Sequence, residues 1–201
     1  MIATARLVVG CVVLTAMVSG CAKGGSKTSA AWQGLAGLVF VAEVETTCAP
    51  PEGWRMEFRE DEGAQGHVVW ISPSGATAYG VGHFSMPLPV GPELASRGFV
   101  RRMRQEEGEV VVRERQHDAE LGGVRFVAEG KEHILRVNLV TRGWRGWAVY
   151  AGTKQDRPVK AAELDVAERA RENTRMGQRV AGAALPVPRP SSQAATNRGS
   201  P

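Results

Sequence analysis

Residues 124–152 read VRFVAEGKEHILRVNLVTRGWRGWAVYAG, and this stretch decides the fold. Apolar and polar side chains alternate along it, and glycine-containing breaks of only a few residues interrupt the alternation. A period of two is typical of half-buried β-strands. Links this short cannot form the crossover that parallel strands require, so the strands must run antiparallel. The stretch therefore predicts a meander with strands at Val124–Glu129, His133–Thr141 and Trp147–Gly152, and Val110–Gln116 adds a fourth strand before them.

The alternation also predicts which side chains enter the core. Successive side chains of a strand point to opposite faces of the sheet. The apolar set expected to face the core is Val124, Phe126, Ala128, Leu135, Val137 and Leu139. The set expected on the opposite face is Arg125, Arg136 and Asn138.

Strand and helix signals continue on both sides of the meander. Further strands are predicted at Val39–Glu45, Trp54–Phe58, His67–Ile71 and Ala76–Met86. Helices are predicted at Pro92–Glu107, with Ala95, Phe99 and Met103 on its apolar face, and at Pro158–Met176, with Val159, Ala162, Val166 and Ala170. This order predicts an α+β fold, with a single antiparallel β-sheet and two main helices packed on it. Gly80 and Gly82 inside a strand predict a bulge or a close contact there.

The first twenty residues are typical of an export signal. Arg6 precedes an apolar run, Leu7 to Val18, which is short for a membrane-spanning helix. Val18-Ser19-Gly20-Cys21 follows and resembles a bacterial lipobox. The resemblance implies cleavage before Cys21, a diacylglyceryl group on its thiol and often an acyl chain such as palmitate on its amine. Two or more chains suffice for stable membrane anchoring.

Composition then divides the chain into four parts. We expect a lipoprotein signal peptide at 1–20 and a lipidated N-terminus with a flexible tether at 21–38. The α+β domain is expected at 39–176, and a disordered tail rich in Pro, Ser and Ala at 177–201. Trp32 and Leu35 provide an alternative for the tether, because they could dock on the domain.

Charge argues against a nucleic-acid-binding protein. The whole chain carries 25 basic and 21 acidic residues, a formal net charge of +4. Six of the basic residues lie outside the segment from Phe40 to Met176, and no acidic residue does, so that segment has a net charge of −2. Phosphate contacts supply most of the affinity for nucleic acids and call for a basic excess.

Short motifs outside the meander carry a family resemblance. Pro51-Glu52-Gly53-Trp54 enters a strand, Trp70-Ile71-Ser72-Pro73 ends another, and Asp118 precedes Leu121-Gly122-Gly123. With the order of elements, these motifs resemble the PsbP-like fold, which extrinsic PsbP proteins of photosystem II share with Ran-binding Mog-type proteins. The resemblance covers roughly residues 40–175. The resemblance implies a PsbP-like sandwich and a non-catalytic helper or binding domain. It assigns no functional residue, because proteins that share a fold often differ in function.

Motifs for catalysis or for cofactors are not found in the sequence. The four histidines, His67, His83, His117 and His133, lack metal-ligand spacing, so no metal is expected. No Gly-x-Ser-x-Gly motif occurs, and we expect no catalytic residue and no cofactor. Cys48 is expected to be buried, with reactivity or pairing between chains as alternatives. The arginines at 97, 101, 102 and 104 are interpreted as a solvated helix face, with anionic lipid headgroups or an acidic partner as the alternative.

Two tryptophans near one turn suggest a binding surface. Trp144, Arg145 and Trp147 could form an aromatic and cationic surface for a ligand or partner, although tryptophans near such a turn also seal a core edge. We expect a lipid-anchored protein of the bacterial cell envelope, facing the periplasm, that binds an envelope protein and no nucleic acid. A small-ligand binding module is the first alternative, and an enzyme ranks behind it.

Overall fold

The structure, a computed structural model, describes residues 30–59 and 64–184, apart from the side chains of residues 64 and 65. Nine strands and two α-helices lie in these two ranges. The strands are β1 (Val39–Val41), β2 (Thr46–Cys48), β3 (Arg55–Arg59), β4 (Ala64–Ile71), β5 (Thr77–Ser85), β6 (Val111–Asp118), β7 (Gly123–Glu129), β8 (His133–Arg142) and β9 (Arg145–Lys154). The helices are α1 (Pro92–Glu107) and α2 (Ala161–Glu172).

Seven strands form one antiparallel sheet in the order β3-β4-β5-β9-β8-β7-β6. This order confirms the meander, because β6 to β9 lie side by side in sequence order. Phe126 lies opposite Val137, and Val137 lies opposite Tyr150. These side chains therefore share one face of the sheet. Helix α1 covers that face, and α2 covers the other, so each face has its own apolar core.

The α1 side of the sheet has the core that the meander pattern predicts. Pro92 begins α1, where a missing N–H is tolerated, and Gly108 ends it with a φ of 85°. Val100 and Met103 of the helix are buried in the same cluster as Phe126. The ring of Phe99 meets that of Phe126 edge to face, with the ring centroids 5.8 Å apart.

A carboxylate fastens the last turn of α1 to the turn between β7 and β8. Oε2 of Glu107 accepts hydrogen bonds from the backbone N–H groups of Glu132 and His133, at 3.1 and 3.2 Å. Its Oε1 atom lies 2.8 Å from Nδ1 of His133. These contacts hold the C-terminal end of α1 against the β7–β8 turn.

On the other face of the sheet, α2 and the β1–β2 hairpin together cover the second apolar core. Ala167 and Ala170 of α2 are completely buried, and their small side chains allow the helix to lie close to the sheet. They share a cluster with Tyr79 and Trp147, and the hairpin of β1 and β2 contributes Val41 to it.

The β1–β2 hairpin corrects the prediction of a single sheet. β1 and β2 pair with each other in a separate two-stranded sheet, and isolated bridges join Val39 to Ala184 and Thr47 to Arg175. Val39–Glu45 was expected to be one strand, but a 3₁₀ turn follows Val41 and Glu45 adopts a φ of 48°. The chain therefore reverses, and Thr46–Cys48 becomes a fully buried strand without apolar alternation. A period-two pattern cannot reveal such a strand.

The apolar face expected on the last helix is also partly wrong. Val159 lies before α2 and is 40% exposed, and Ala162 is exposed. Ala167 was not in the predicted stripe and is completely buried. The helix begins at Ala161 and presents Ala167 and Ala170 to the sheet, where these small side chains pack in one cluster with bulky Tyr79 and Trp147.

The packed domain extends beyond the predicted limits of 39–176. The N–H of Ala36 donates to the carbonyl of Pro50 at 2.9 Å, and Leu35 packs against the α2-side core. At the other end, the N–H of Ala184 donates to the carbonyl of Leu38 at 3.0 Å. Residues 30–38 and 177–184 thus belong to the fold. The predicted signal peptide, the first half of the predicted tether including Cys21, and residues 185–201 lie outside the described residues.

Buried polar groups link the hairpin, the sheet and the end of α2. The Tyr79 hydroxyl lies 2.6 Å from Oγ1 of Thr174, which donates to the carbonyl of Ala170 at 2.8 Å. The Cys48 thiol is hydrogen-bonded to the same tyrosine. Burial raises the pKa of Cys48 to about 12, against a smaller lowering by that hydrogen bond.

We expect Cys48 to be unreactive in the folded protein. With a pKa of about 12, only about one thiol in ten thousand is ionised at pH 8, and the thiolate is the reactive form. In a Cys11→Ser, Cys21→Ser variant, a thiol reagent should leave Cys48 unmodified until urea unfolds the chain. Rapid modification under native conditions would contradict the burial.

Candidate functional site

The predicted surface of Trp144, Arg145 and Trp147 lies at one end of the sheet, where large apolar side chains are exposed. We call it the hairpin end and define it by the β8–β9 turn, Arg142 to Arg145, and the segment between β5 and α1. Trp144 at the turn is 56% exposed, and Leu88 in the segment is 65% exposed. The N–H of Met86 donates to the carbonyl of Trp144 at 2.8 Å, so the turn and the segment are held together.

Two arginines flank the exposed tryptophan. Arg145 forms an ion pair with Glu45, with Nη1 2.6 Å from Oε2, and thereby ties the β8–β9 turn to the β1–β2 hairpin. The guanidinium of Arg142 lies over the ring of Trp147, 5.8 Å from its centroid, and hydrogen-bonds the carbonyl of Gly177. Trp144 therefore projects from a turn that several contacts hold in place.

Of the three residues predicted to form a surface, two are exposed and one is buried. Trp144 and Arg145 are exposed, but Trp147 is only 3% exposed and lies in the α2-side core. Its Nε1 donates to the carbonyl of Val44 at 3.1 Å. Alternation along β9 places Trp147 toward the core, so it seals the core edge and cannot contact a ligand.

A buried histidine behind the hairpin end was not singled out from the sequence. His83 stacks on Trp147, with ring centroids 5.1 Å apart and an interplanar angle of 14°. Its Nε2 atom is buried and has no hydrogen-bond partner among the described residues. Burial lowers the pKa of His83, with a smaller raising effect from Glu45 and a lowering one from Arg145. The imidazole is therefore held in its neutral form.

His83 gives a pH dependence of stability. Because its folded pKa lies below the unfolded value of about 6.5, the unfolded chain binds the proton more readily. The histidine's stabilising contribution is full above pH 6.5 and is lost as the pH falls through the folded pKa. We expect the melting temperature to decrease over this window, and to decrease less in His83→Phe, which keeps an aromatic ring on Trp147.

Two carboxylates, Asp118 and Glu163, have lowered pKa values and therefore change stability at a more acidic pH than His83 does. The pKa of Asp118 is lowered by a hydrogen bond from the N–H of Leu121 and by the charge of Arg125. Burial raises the pKa of Glu163, but hydrogen bonds from Ser74 and Ser72 and the charge of Lys160 together lower it below its usual value. An equal pH response of the wild type and His83→Phe above pH 5 would remove His83 as its cause.

The adjacent residues His117 and Asp118 do not form a reactive pair. His117 pairs with Glu93 at 3.2 Å on the α1 side, whereas Asp118 accepts hydrogen bonds from the N–H groups of Glu120 and Leu121. The neighbours therefore point apart, as alternation predicts. Within residues 30–59 and 64–184, no group of three His, Cys, Asp or Glu side chains could hold a metal ion. Neither described helix is long and apolar enough to cross a membrane.

The glycines inside β5 mark one close contact. A side chain at Gly80 would overlap the ring of Tyr150, whose hydroxyl lies 2.8 Å from Nε2 of His67. At Gly82 a Cβ would meet only ordinary contacts, the nearest at 3.9 Å. The prediction of a close contact thus holds at Gly80, where it fixes Tyr150 across the sheet.

Fold and site together define an α+β domain with a helix on each face of an antiparallel sheet and an exposed tryptophan turn at one end. A scan against protein-family models found no match, and a search of curated proteins found none. Among solved structures, the chain is similar to the solution structure of cyanobacterial PsbP (CyanoP) from Synechocystis sp. PCC 6803, with 12% sequence identity and a TM-score of 0.48. The match covers 79% of this chain and 98% of that chain. A likeness at this level carries no argument about function, and membership of a PsbP-like family stays a prediction.

Proposed function

We propose that the chain is a membrane-anchored bacterial lipoprotein whose α+β domain binds a protein partner at the cell envelope and performs no chemistry of its own. The observation that carries the proposal is the exposed Trp144 on a turn whose backbone is hydrogen-bonded to Met86, two residues before the exposed Leu88. Large apolar side chains in water favour association, and those that are already ordered lose little entropy when a partner covers them.

The composition of the hairpin end supports a protein partner. Tryptophan and arginine are the residue types enriched where binding energy concentrates in protein interfaces. Trp144 supplies the apolar anchor, and Arg142 and Arg145 supply charged groups at its side. The ion pair with Glu45 and the carbonyl of Gly177 leave both guanidinium groups partly exposed, as groups at an interface rim are.

The tether supports a partner that lies near the membrane. The described part of the chain begins at Ala30–Trp32, beside the end of α2, where the Asn173 side-chain amide donates to the carbonyl of Ala31 at 3.2 Å. Eight residues lie between Cys21 and Ala30, and the nine residue steps that join the two span about 30 Å when fully extended. A lipid on Cys21 would therefore keep the domain within about one domain diameter of the bilayer surface.

The anchor is tested by the mass and the fractionation of the expressed protein. We expect the wild type to gain the mass of a lipid at Cys21 and to sediment with membranes, whereas Cys21→Ser should do neither. A wild type that is soluble and without lipid would refute the anchor and leave the partner surface to be tested by itself.

The partner surface is tested by photo-crosslinking in cells. A photoreactive phenylalanine analogue replaces Trp144 in one variant and Val159 in a control, because Val159 is a 40% exposed apolar residue away from the hairpin end. We expect a discrete heavier band from position 144 and none from position 159, and Leu88→Ala should weaken the band. Equal crosslinking at both positions, or none at 144, would contradict a partner at the hairpin end.

A further inference from the structure

A cleft lies between α1 and the edge strand β6, away from the hairpin end. It measures about 420 Å³, and its lining residues are Arg97, Val100, Arg104, Val112 and Arg115. Ligand pockets commonly occupy about 300–1,000 Å³, so the cleft has room for a small molecule. Three of the five lining residues are arginines, and none is acidic.

A β-bulge brings the third arginine into this cleft. The pairing of β6 with β7 shifts between Arg113 and Gln116, and Glu114 adopts a φ of 54°, an unusual conformation for a residue other than glycine. The guanidinium of Arg115 consequently lies over the buried ring of Phe126, 5.7 Å from its centroid, on the α1 side. Bulges of this kind re-aim a side chain, often at functional sites.

The charges of the cleft are not neutralised by nearby carboxylates. Among the described residues, Arg97 and Arg115 form no ion pair, and Arg104 donates only to the carbonyl of Val110, at 3.1 Å. The acidic residues of α1 pair elsewhere: Glu93 with His117, Glu106 with Arg102 and Glu107 with His133. Within the described residues, the three guanidinium groups thus line the cleft with Val100 and Val112 and have no carboxylate as counter-ion.

We propose that this cleft binds a phosphomonoester that carries a small apolar group. Guanidinium groups bind phosphate oxygens through paired hydrogen bonds, and three of them match a dianion with three terminal oxygens. The two valines and the volume exceed what a bare inorganic ion needs and accommodate the attached group. The site is independent of the proposed partner surface, because it lies on α1 and β6 and uses no residue of the hairpin end.

Phenyl phosphate is the probe that tests the cleft. In a titration of the full chain with the Cys21→Ser change, followed by ¹H–¹⁵N spectra, we expect saturable shifts in α1 and β6 that weaken as the ionic strength is raised. Benzyl alcohol, which lacks the phosphate, should give none. Arg115→Gln and Arg97→Gln should each weaken binding by at least about tenfold, the usual loss for a charge-assisted hydrogen bond.

Arg101→Gln is the matched control. Arg101 lies on the same helix, one turn from Arg97, and does not line the cleft, so its removal changes the net charge equally and should leave the affinity within about twofold. Equal losses for Arg101→Gln and Arg97→Gln would reduce the effect to general electrostatics and overturn the proposal. Absence of any arginine-dependent binding would overturn it as well.

A second arm distinguishes a soluble ligand from a lipid headgroup. Phosphatidic acid also presents a phosphomonoester, so the variants are compared for binding to phosphatidylcholine vesicles that contain it as roughly one lipid in five. Saturable binding of phenyl phosphate that depends on Arg115 indicates a soluble ligand. Vesicle binding that depends on Arg115, without binding of phenyl phosphate, indicates the headgroup, and either result supports the phosphomonoester site.

Discussion

Replacing Trp147 by alanine is expected to lower the free energy of unfolding by about 4 kcal/mol. The side chain is 3% exposed, stacks on His83 and donates a hydrogen bond to the carbonyl of Val44. Its removal opens a large cavity and leaves a buried carbonyl without its donor. For a domain of this size the melting temperature should fall by about 10 °C or more. Circular dichroism is the appropriate measurement, because the substitution itself changes the tryptophan fluorescence.

Trp144→Ala, three residues before Trp147 in the chain, is the matched control. Trp144 is 56% exposed and lies at the turn, so its removal should change the free energy of unfolding by less than about 0.5 kcal/mol. The two variants thus separate stability from binding, since Trp144→Ala should weaken only the proposed partner contact. A large loss of stability for Trp144→Ala, or none for Trp147→Ala, would contradict the division of the pair into surface and core.

Gly123→Ala is expected to lower the free energy of unfolding by about 3 kcal/mol, at the upper end of the usual cost of overpacking. A Cβ at this position would overlap the carbonyl oxygen of Leu139 and would lie 2.9 Å from Cγ2 of Val140. Both atoms belong to β8, which is paired along its length with β7 and β9 and cannot retreat. Urea unfolding, with the slope checked for equality with the wild type, measures the loss.

The neighbouring glycine serves a different purpose and provides the control. Gly122 has a φ of 62°, and a Cβ there would meet nothing within 4 Å. Gly122→Ala should therefore cost only about 1 kcal/mol, from the left-handed backbone alone. Gly122→Asn should cost less than Gly122→Ala, because asparagine tolerates that conformation. Equal costs at positions 122 and 123 would show that close approach of β8 is not the reason for Gly123.

Much of the sheet follows from local patterns. Helix α1 has the predicted bounds, Pro92–Glu107, because proline and glycine mark its two ends unambiguously. β6 to β9 form the predicted meander, because period-two alternation and short breaks leave an antiparallel arrangement as the only one that fits. The PsbP-like resemblance and the lipobox also rest on the sequence, and they remain predictions.

The candidate site was predictable only in part. Trp144 and Arg145 were predicted at a surface because tryptophan and arginine near a turn stand out in the sequence. Leu88 lies between two prolines, and nothing in that local pattern places its segment at the turn that carries Trp144. The segment and the turn meet because β5 and β9 are neighbours in the sheet, a pairing between residues far apart in the chain.

The sequence by itself determined the α+β class, the meander and the ends of α1, because these depend on periodicity and on residues that begin or end an element. Tertiary structure decided what local patterns do not contain. Thr46–Cys48 forms a buried strand without an apolar pattern, and Ala167 and Ala170 of α2 pack toward the sheet in one cluster with Tyr79 and Trp147. A bulge in β6 directs Arg115 toward α1. Each of these outcomes depends on which side chains meet across the sheet, and that is fixed only when distant strands pair.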